Sequence, residues 1–472
     1  MGVLFSSGWL PLMLLAIISA ASASAANAAP SGSCKCIPGD QCWPPNILWD
    51  FFNFTVGGNS IRTQPVALSC CPGPASSPAQ CTYVDANWNN ATLQAANVVG
   101  LSYPTNISCP PVNATAGESA QGSRTLGVSP SYAANCTNPQ QVALTVVFSK
   151  LFNIRLAVRN TGHDQLGRSE RSNGLEVWIR HLRNGITFQN TFESSTGCTT
   201  SNWTGSAFKV AGGYSWGDGA AEAQKHNVVI VTGGTPSVLE LAVVLADGSL
   251  VAANGCLHSD LFVALCGGGG GTYGVVVSST VKAHPTVNVT VQHLAIPAPL
   301  FADVTTDYVH GFAIFNAAVA HAQSAFDATR AKLAKYNLTS VFISEGYVSY
   351  PDYWTYYHAE SGSEPPVSLP AALRTMIETI AGTLDQFTTN NLELVGGGQV
   401  FRDASEPYSG VTPVWRISYF NSVVARVSSL DTPQAVLDEK QHDITYVKVP
   451  ATKRLAPTTG AYMNETSRFD PD

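Results

Sequence analysis

The residues with the clearest capacity for chemistry lie in one loop, Arg159-Asn160-Thr161-Gly162-His163-Asp164. Neutral imidazole is a good nucleophile, so a histidine held in fixed geometry can bond to a carbon electrophile. The glycine before it lacks Cβ, which lets the backbone approach a bulky ligand closely. The preceding run, Ile154-Arg155-Leu156-Ala157-Val158, alternates and contains β-branched residues. It is expected to be a strand that delivers the loop. Taken alone, such a histidine has a plain alternative, because most loop histidines are simply solvated.

Further segments narrow the choice. The string from Val158 to Ser169 contains Gly162-His163 and then Gly167-Arg168. Near the start are Pro38-Gly-Asp-Gln-Cys-Trp-Pro-Pro45, Trp49 and Phe51-Phe52-Asn53. A glycine run, Gly267 to Gly271, follows the apolar stretch from Asp260 and leads to Tyr273-Gly274-Val275. Near the end stands Gly460-Ala-Tyr-Met-Asn-Glu465. Together these blocks resemble the berberine-bridge-enzyme-like oxidases of the vanillyl-alcohol-oxidase superfamily, over most of the chain from about Cys34 to Glu465.

The resemblance implies an α+β fold. A PCMH-type FAD-binding domain of two α/β subdomains is joined to a substrate domain, an antiparallel sheet backed by helices. It implies FAD held covalently through His163. It implies further cofactor contacts from Arg159, Asn160, Thr161, Gly162, Asp164, Gly167 and Arg168, from Gly233, Gly234 and Thr235, and from Gly274 and Val275. Tyr462 and Asn464 take the catalytic places, Tyr462 as the base. The alternative for Tyr462 is a buried tyrosine with a satisfied hydroxyl. The implied activity is oxidation of a small alcohol, sugar, amine or secondary metabolite, with hydride passing to the flavin and oxygen as acceptor. The competing reading is a scaffold of the same shape that binds flavin or a small molecule weakly, without turnover.

Composition sets the setting. The chain has 472 residues, longer than one ordinary core. Hydrophobic residues make up 45% and charged residues 12%, with net charge −7. Basic residues are scattered, which gives nucleic-acid binding no support. Residues 1–26 read as a secretory leader: Leu10 to Ile18 is apolar, and Ala21-Ser22-Ala23 and Ala23-Ser24-Ala25 fit cleavage sites. That run is short for a membrane span, and no other candidate follows. The expected product is a secreted monomer that meets small molecules and oxygen.

Eleven cysteines agree with an oxidising compartment. Cys34, Cys36, Cys42, Cys70, Cys71 and Cys81 read as a disulfide framework of open connectivity, rather than a zinc cluster, because paired Cys-x-x-Cys units are lacking. Cys109 and Cys136 are expected to form a separate bridge, and Cys266 to stay unpaired in an apolar, strand-like run. No metal site is expected. Nine glycosylation sequons occur, and those at Asn53, Asn90, Asn106, Asn113, Asn135, Asn202, Asn288 and Asn337 fit a secreted surface, whereas the resemblance puts Asn464 beside the flavin, where a glycan would not fit.

The elements that must position the loop can be read in order. A cysteine-rich segment and loop fill 27–130, the flavin domain 131–285, the substrate domain 286–455, and a truncated return segment 456–472. Asn138 caps a helix to Lys150, with Pro139 in its first turn. Gly219 to His226 is a short helix, Val228 to Val231 a buried strand, and Gly233-Gly234 a turn. Leu239 to Leu245 and Leu250 to Ala253 form a hairpin around a type I′ Asp247-Gly248 turn. Tyr273 to His284 and Val287 to Leu294 are strands. Phe301 to Lys335 is expected to form one or two helices carrying His310 and His321. Val341 to Ser344 is a strand and Leu369 to Leu384 a helix.

Two departures from the family pattern matter. Gly233-Gly-Thr-Pro-Ser-Val238 runs straight into Leu239, without the glycine-rich segment that lines the FAD diphosphate in relatives. Fewer backbone donors would then face that charge, so weak FAD binding is expected. The family's closing segment after the tyrosine is also missing before Asp472.

Overall fold

Asn138 opens the helix that organises the first core. Its Oδ1 accepts from Gln141 N at 3.0 Å, and Pro139 sits where an N–H would lack a partner. The structure, a computed structural model, describes residues 34–88, 90–100, 126–164, 166–199, 201–231, 238–269, 271–301, 304–334, 344–360, 388–393, 412–418, 421–426 and 433–455, with a few positions beyond. The leader, Gly233, Gly234, Thr235, Val341 to Ile343, the 369–384 helix and Asn464 lie outside the described residues.

The first layer contains α1 (Asn46–Thr55), β1 (Ser60–Arg62), α2 (Pro78–Ala86), α3 (Ala91–Ala96), β2 (Tyr132–Asn135), α4 (Pro139–Leu151), β3 (Leu156–Arg159) and β4 (Leu175–Trp178). Its sheet runs β1-β2-β4-β3. β4 lies between β2 and β3 and is parallel to both, with Asn135, Trp178 and Arg159 in register. All three strands therefore end at one edge, where parallel sheets present ligand-binding loops.

A second sheet, of antiparallel strands, follows. It uses β5 (Ile186–Gln189), β6 (Ala207–Ala211), β7 (Val228–Ile230), β8 (Val238–Val244), β9 (Leu250–Ala253) and β10 (Val275–Pro285), with α5 (Trp216–Lys225) and α6 (Ser259–Gly268) between them. β10 is the central strand and pairs with β6, β8 and β7. The two sheets share one core. Trp49, Phe52 and Val56 of α1 meet Val142, Val146 and Phe148 of α4, Leu175 and Val177 of β4, and Val275 and Val277 of β10. Phe52 stacks on Phe148 at 4.4 Å between ring centroids.

Beyond Pro285, β11 (Val289–Phe301) pairs with β12 (Val304–Phe315) and, on its other side, with β13 (Ser344–Tyr350). The helices α7 (Val319–Ala325) and α8 (Asp327–Leu333) separate β12 from β13, and α9 (Tyr353–Glu360) follows. Strands Thr388–Glu393 and Asn421–Arg426 pair with each other.

Several expectations need correction. The stretch after Phe301 is a strand to Phe315 before two short helices begin, so His310 lies on a strand. The hairpin between β8 and β9 forms, but only Gly248 of the turn pair has positive φ, +85°. Gly248 N donates to Leu245 O and Leu245 N to Ser249 O, which makes a type I turn closed by a glycine bulge rather than type I′. The run around Cys266 is helix α6, not a strand. The bridges are Cys36–Cys42, Cys70–Cys81 and Cys198–Cys256, and Cys71 is also disulfide-bonded. Cys136 is not in a bridge. It is buried, its thiol faces Ala134 O at 3.4 Å, and burial pushes its pKa up to about 12. Cys34 and Cys266 are free thiols too.

The shared core makes one position informative. Phe52→Ala removes a ring that is 1% exposed. It is expected to cost about 3–5 kcal/mol. Urea unfolding followed by tryptophan fluorescence checks this; a loss below about 1 kcal/mol would show that the two sheets do not depend on α1.

Candidate flavin site

The histidine loop starts from a buried cation. Arg159, the last residue of β3, is 1% exposed. Its guanidinium donates to Asn97 O at 2.8 Å and to Gln94 O at 3.0 Å, and also to Val98 O and Gly100 O. These carbonyls belong to the last turn of α3 and to the residues that follow it, where helical carbonyls run short of intrahelical donors. Glu176 of β4 lies 4.0 Å away and is fully buried, and its Oε1 has no hydrogen-bond partner among the described residues. Burial pushes the Glu176 pKa up to about 8, partly opposed by Arg159. The side chain expected to reach toward the cofactor is therefore a clamp on 94–100, because the strand's alternation turns it inward.

The residues after Arg159 are fixed at both ends. Asn160 Nδ2 donates to Gly212 O at 3.0 Å and to Tyr214 O at 3.1 Å. At the far end, Asp164 accepts from Arg168 Nε at 3.1 Å and Nη2 at 2.9 Å, and from the Arg168 backbone N–H. Gly167 closes the turn with its N–H on Asp164 O at φ +72°. Gly162 is buried at φ +80°, a conformation that a Cβ would strain.

Between these anchors, the backbone N–H groups of Asn160 to Asp164 donate to no acceptor among the described residues. Successive unpaired amides around a residue of positive φ form a concavity suited to an anion. Asn160 Oδ1 is also buried without a donor. His163 makes no hydrogen bond among the described residues. Although the residue is exposed overall, its ring loses part of its hydration. This desolvation comes first in lowering its pKa, followed by the charges of Arg159 and Arg180. The imidazole is held neutral, the form that can attack carbon.

The glycine run packs beside this loop. A Cβ on Gly271 would lie 3.4 Å from Val158 Cβ, and one on Gly269 would lie 3.6 Å from Arg168 Nη1. Gly274 and Val275 are explained by packing: a Cβ on Gly274 would meet Val243 at 2.5 Å, and Val275 belongs to the shared core. Thr161 is half-buried within the loop. Tyr462 is half-buried edge-on to Trp415, with ring centroids 5.9 Å apart. The sequence reading missed Arg180 and the Gly212-Gly213-Tyr214 turn. Its signal was a Gly-Gly pair between a strand and the Ser215 cap of α5, whose capping box with Asp218 is complete.

Comparison with known proteins decides the family. FAD-linked oxidoreductase hmp9 of Hypomyces subiculosus is 36% identical over 523 residues, covering 93% of this chain and 83% of that protein. The chain belongs to the FAD-linked oxidoreductases of the vanillyl-alcohol-oxidase type. FAD-linked oxidoreductase apf9 of Gibberella fujikuroi is 28% identical, covering 92% of this chain and 88% of its own. The crystal structure of the VAO-type flavoprotein MtVAO713 from Myceliophthora thermophila is 36% identical with a TM-score of 0.83, covering 93% of this chain and 91% of that one. MtVAO615 from the same organism, 20% identical with a TM-score of 0.74, shares the fold. No family model matches. The alignment to hmp9 is longer than this 472-residue chain, so the relative carries residues that this oxidoreductase lacks.

The loop fits the family's cofactor on its own geometry: free amides for phosphate, an unpaired amide oxygen, and a neutral histidine.

The Arg159–Glu176 pair predicts a pH signature. An unfolded glutamate ionises near 4.5 and this one near 8. Between those values unfolding releases a proton, so stability falls as pH rises through the window. Glu176→Gln is expected to flatten that fall, by on the order of a few kcal/mol at the upper end. Urea unfolding of variant and parent from pH 5 to pH 8 measures it; parallel curves would show that Glu176 titrates normally.

Proposed function

We propose that this oxidoreductase is a secreted oxidase that holds FAD covalently through His163 and oxidises a small molecule with oxygen as acceptor. The observation that carries the reading is the neutral, unbonded His163 beside a run of unpaired loop amides. The amides of Asn160 to Asp164 would hold the diphosphate, and Asn160 Oδ1 would take a cofactor N–H or hydroxyl. His163 would bond to the C8 methyl carbon. FAD, when bound, supplies the hydride-accepting centre and its reoxidation by oxygen.

The chain's own residues orient and exclude. Arg159 and Asn160 fix where the loop begins, and Arg168 fixes where it ends. Tyr462 is the proposed base for a substrate hydroxyl or amine proton, and Asn464 is the second proposed catalytic residue. The substrate would bind under the sheet of β11, β12 and β13, as an alcohol, sugar, amine or secondary metabolite. The disulfides support a secreted protein. Among the described residues no helix is long and apolar enough to cross a membrane. A monomer is the simplest assembly for this reading.

Acid precipitation tests the tether. The parent protein is expected to stay yellow after precipitation, and His163→Ala to lose the acid-stable flavin while still being secreted. A flavin-bearing peptide recovered from His163→Ala would place the bond elsewhere.

A further inference from the structure

Arg180 stands two residues beyond β4. Trp178 pairs with Arg159 in parallel register, and Ile179 N donates to Arg159 O at 2.8 Å. Arg180 therefore emerges at the same sheet edge as the start of the histidine loop. Its Nη1 donates to Gly213 O at 3.2 Å. The flanking carbonyls, Gly212 O and Tyr214 O, accept from Asn160. The loop and Arg180 thus grip the same three residues. Gly213 leaves no slack there: a Cβ would lie 2.6 to 2.8 Å from the carbonyl oxygens of Ile179, Leu182 and Arg180.

The neighbouring arginines have fuller partners, Arg159 in four carbonyls and Arg168 and Arg183 each in a carboxylate. Arg159 faces Glu176 at 4.0 Å, Arg168 faces Asp164 at 2.9 Å, and Arg183 faces Asp218 at 2.7 Å. Arg180 faces no carboxylate among the described residues. It is half-buried, and one neutral carbonyl does not balance a guanidinium. An unmatched cation beside unpaired amides is the arrangement that binds a phosphate.

We propose that Arg180 is a binding residue for the diphosphate of the cofactor, adding a positive charge to the amides of 160–164. The inference rests on the loop being the FAD site but not on the covalent bond. It assigns Arg180 to the phosphates rather than to the isoalloxazine ring, because its anchor and the loop's free amides share one edge.

The test uses the full chain carrying His163→Ala, so that covalent capture does not obscure the equilibrium. Noncovalent flavin is dialysed away, and the protein is titrated with FAD and with riboflavin, which has the ring but no phosphate. Arg180→Met is expected to weaken FAD roughly tenfold, the scale of one charge-assisted hydrogen bond, and to leave riboflavin unchanged. Arg180→Lys should keep most of the FAD affinity, and the FAD loss should shrink at high salt. If Arg180→Met does not fold, Arg180→Gln, which keeps a donor for Gly213 O, enters the same titration. Equal losses for both ligands, or no loss for FAD, would overturn the assignment. Failure of the His163→Ala parent to bind FAD would overturn the cofactor reading and this inference together. Lack of acid-stable flavin in the unsubstituted chain would overturn only the tether.

Discussion

The guanidinium of Arg159 is the constraint on which the site depends. A buried cation is costly unless its donors are met, and effective penalties reach several kcal/mol. Here four carbonyls between Gln94 and Gly100 accept from its two Nη groups. That requirement fixes the segment after α3 against the end of β3, and it fixes the peptide from which the histidine loop departs. Gly100 has no alternative at its position, since a Cβ would fall 2.3 Å from Gln94 O. The same cation helps to keep His163 neutral. One side chain therefore sets the origin of the loop and adds to the desolvation that lowers the pKa of His163.

Sheet topology does the rest of the positioning. Because β2, β4 and β3 are parallel, their carboxyl ends share an edge. The second sheet reaches this edge through one turn, Gly212 to Tyr214, which Asn160 and Arg180 both bind. The contact is polar and directional, so it specifies an angle where apolar packing would only specify proximity. The common core beneath, built from α1, α4, β4 and β10, keeps the two sheets from sliding. A loop held at Asn160, Asp164 and Arg168 enters binding with little freedom left to lose, which is what attachment at a single carbon requires.

Much of this was legible in the chain, and the failures have physical causes. The Asn138-Pro139 start of α4, the strand before the loop and the β8–β9 hairpin follow from local rules, which act within a few residues. Arg159 did not follow, because a motif gives a residue's neighbours but not the face of the strand it occupies. In β3 it is Ala157 and Arg159 that turn fully inward, while Leu156 and Val158 are half-buried. The glycine run packs on Val158, on the other face from Arg159. Val304 to Phe315 was assigned to helix because the alanines that follow dominated the window; pairing with β11 settled it as strand. The Cys136 pairing failed for a similar reason, since Cys136 points into the core beside Thr145 rather than toward another cysteine.

A dinucleotide brings two negative phosphates, and a fold can meet them with many amides, or with fewer amides and a nearby cation. Amides are fixed dipoles that act at contact distance; a guanidinium acts further and tolerates small displacements of its partner. Around this loop the charges of Arg168 and Arg183 are each matched by a carboxylate, and the guanidinium of Arg159 is held by four carbonyls. Matching holds the loop rigid without drawing anions indiscriminately. What remains is a local positive field at the one edge where a cofactor phosphate would arrive, on a chain whose net charge is −7. That asymmetry favours an anion carried by a ligand that makes further contacts at this edge, over free anions that would meet only the negative surface.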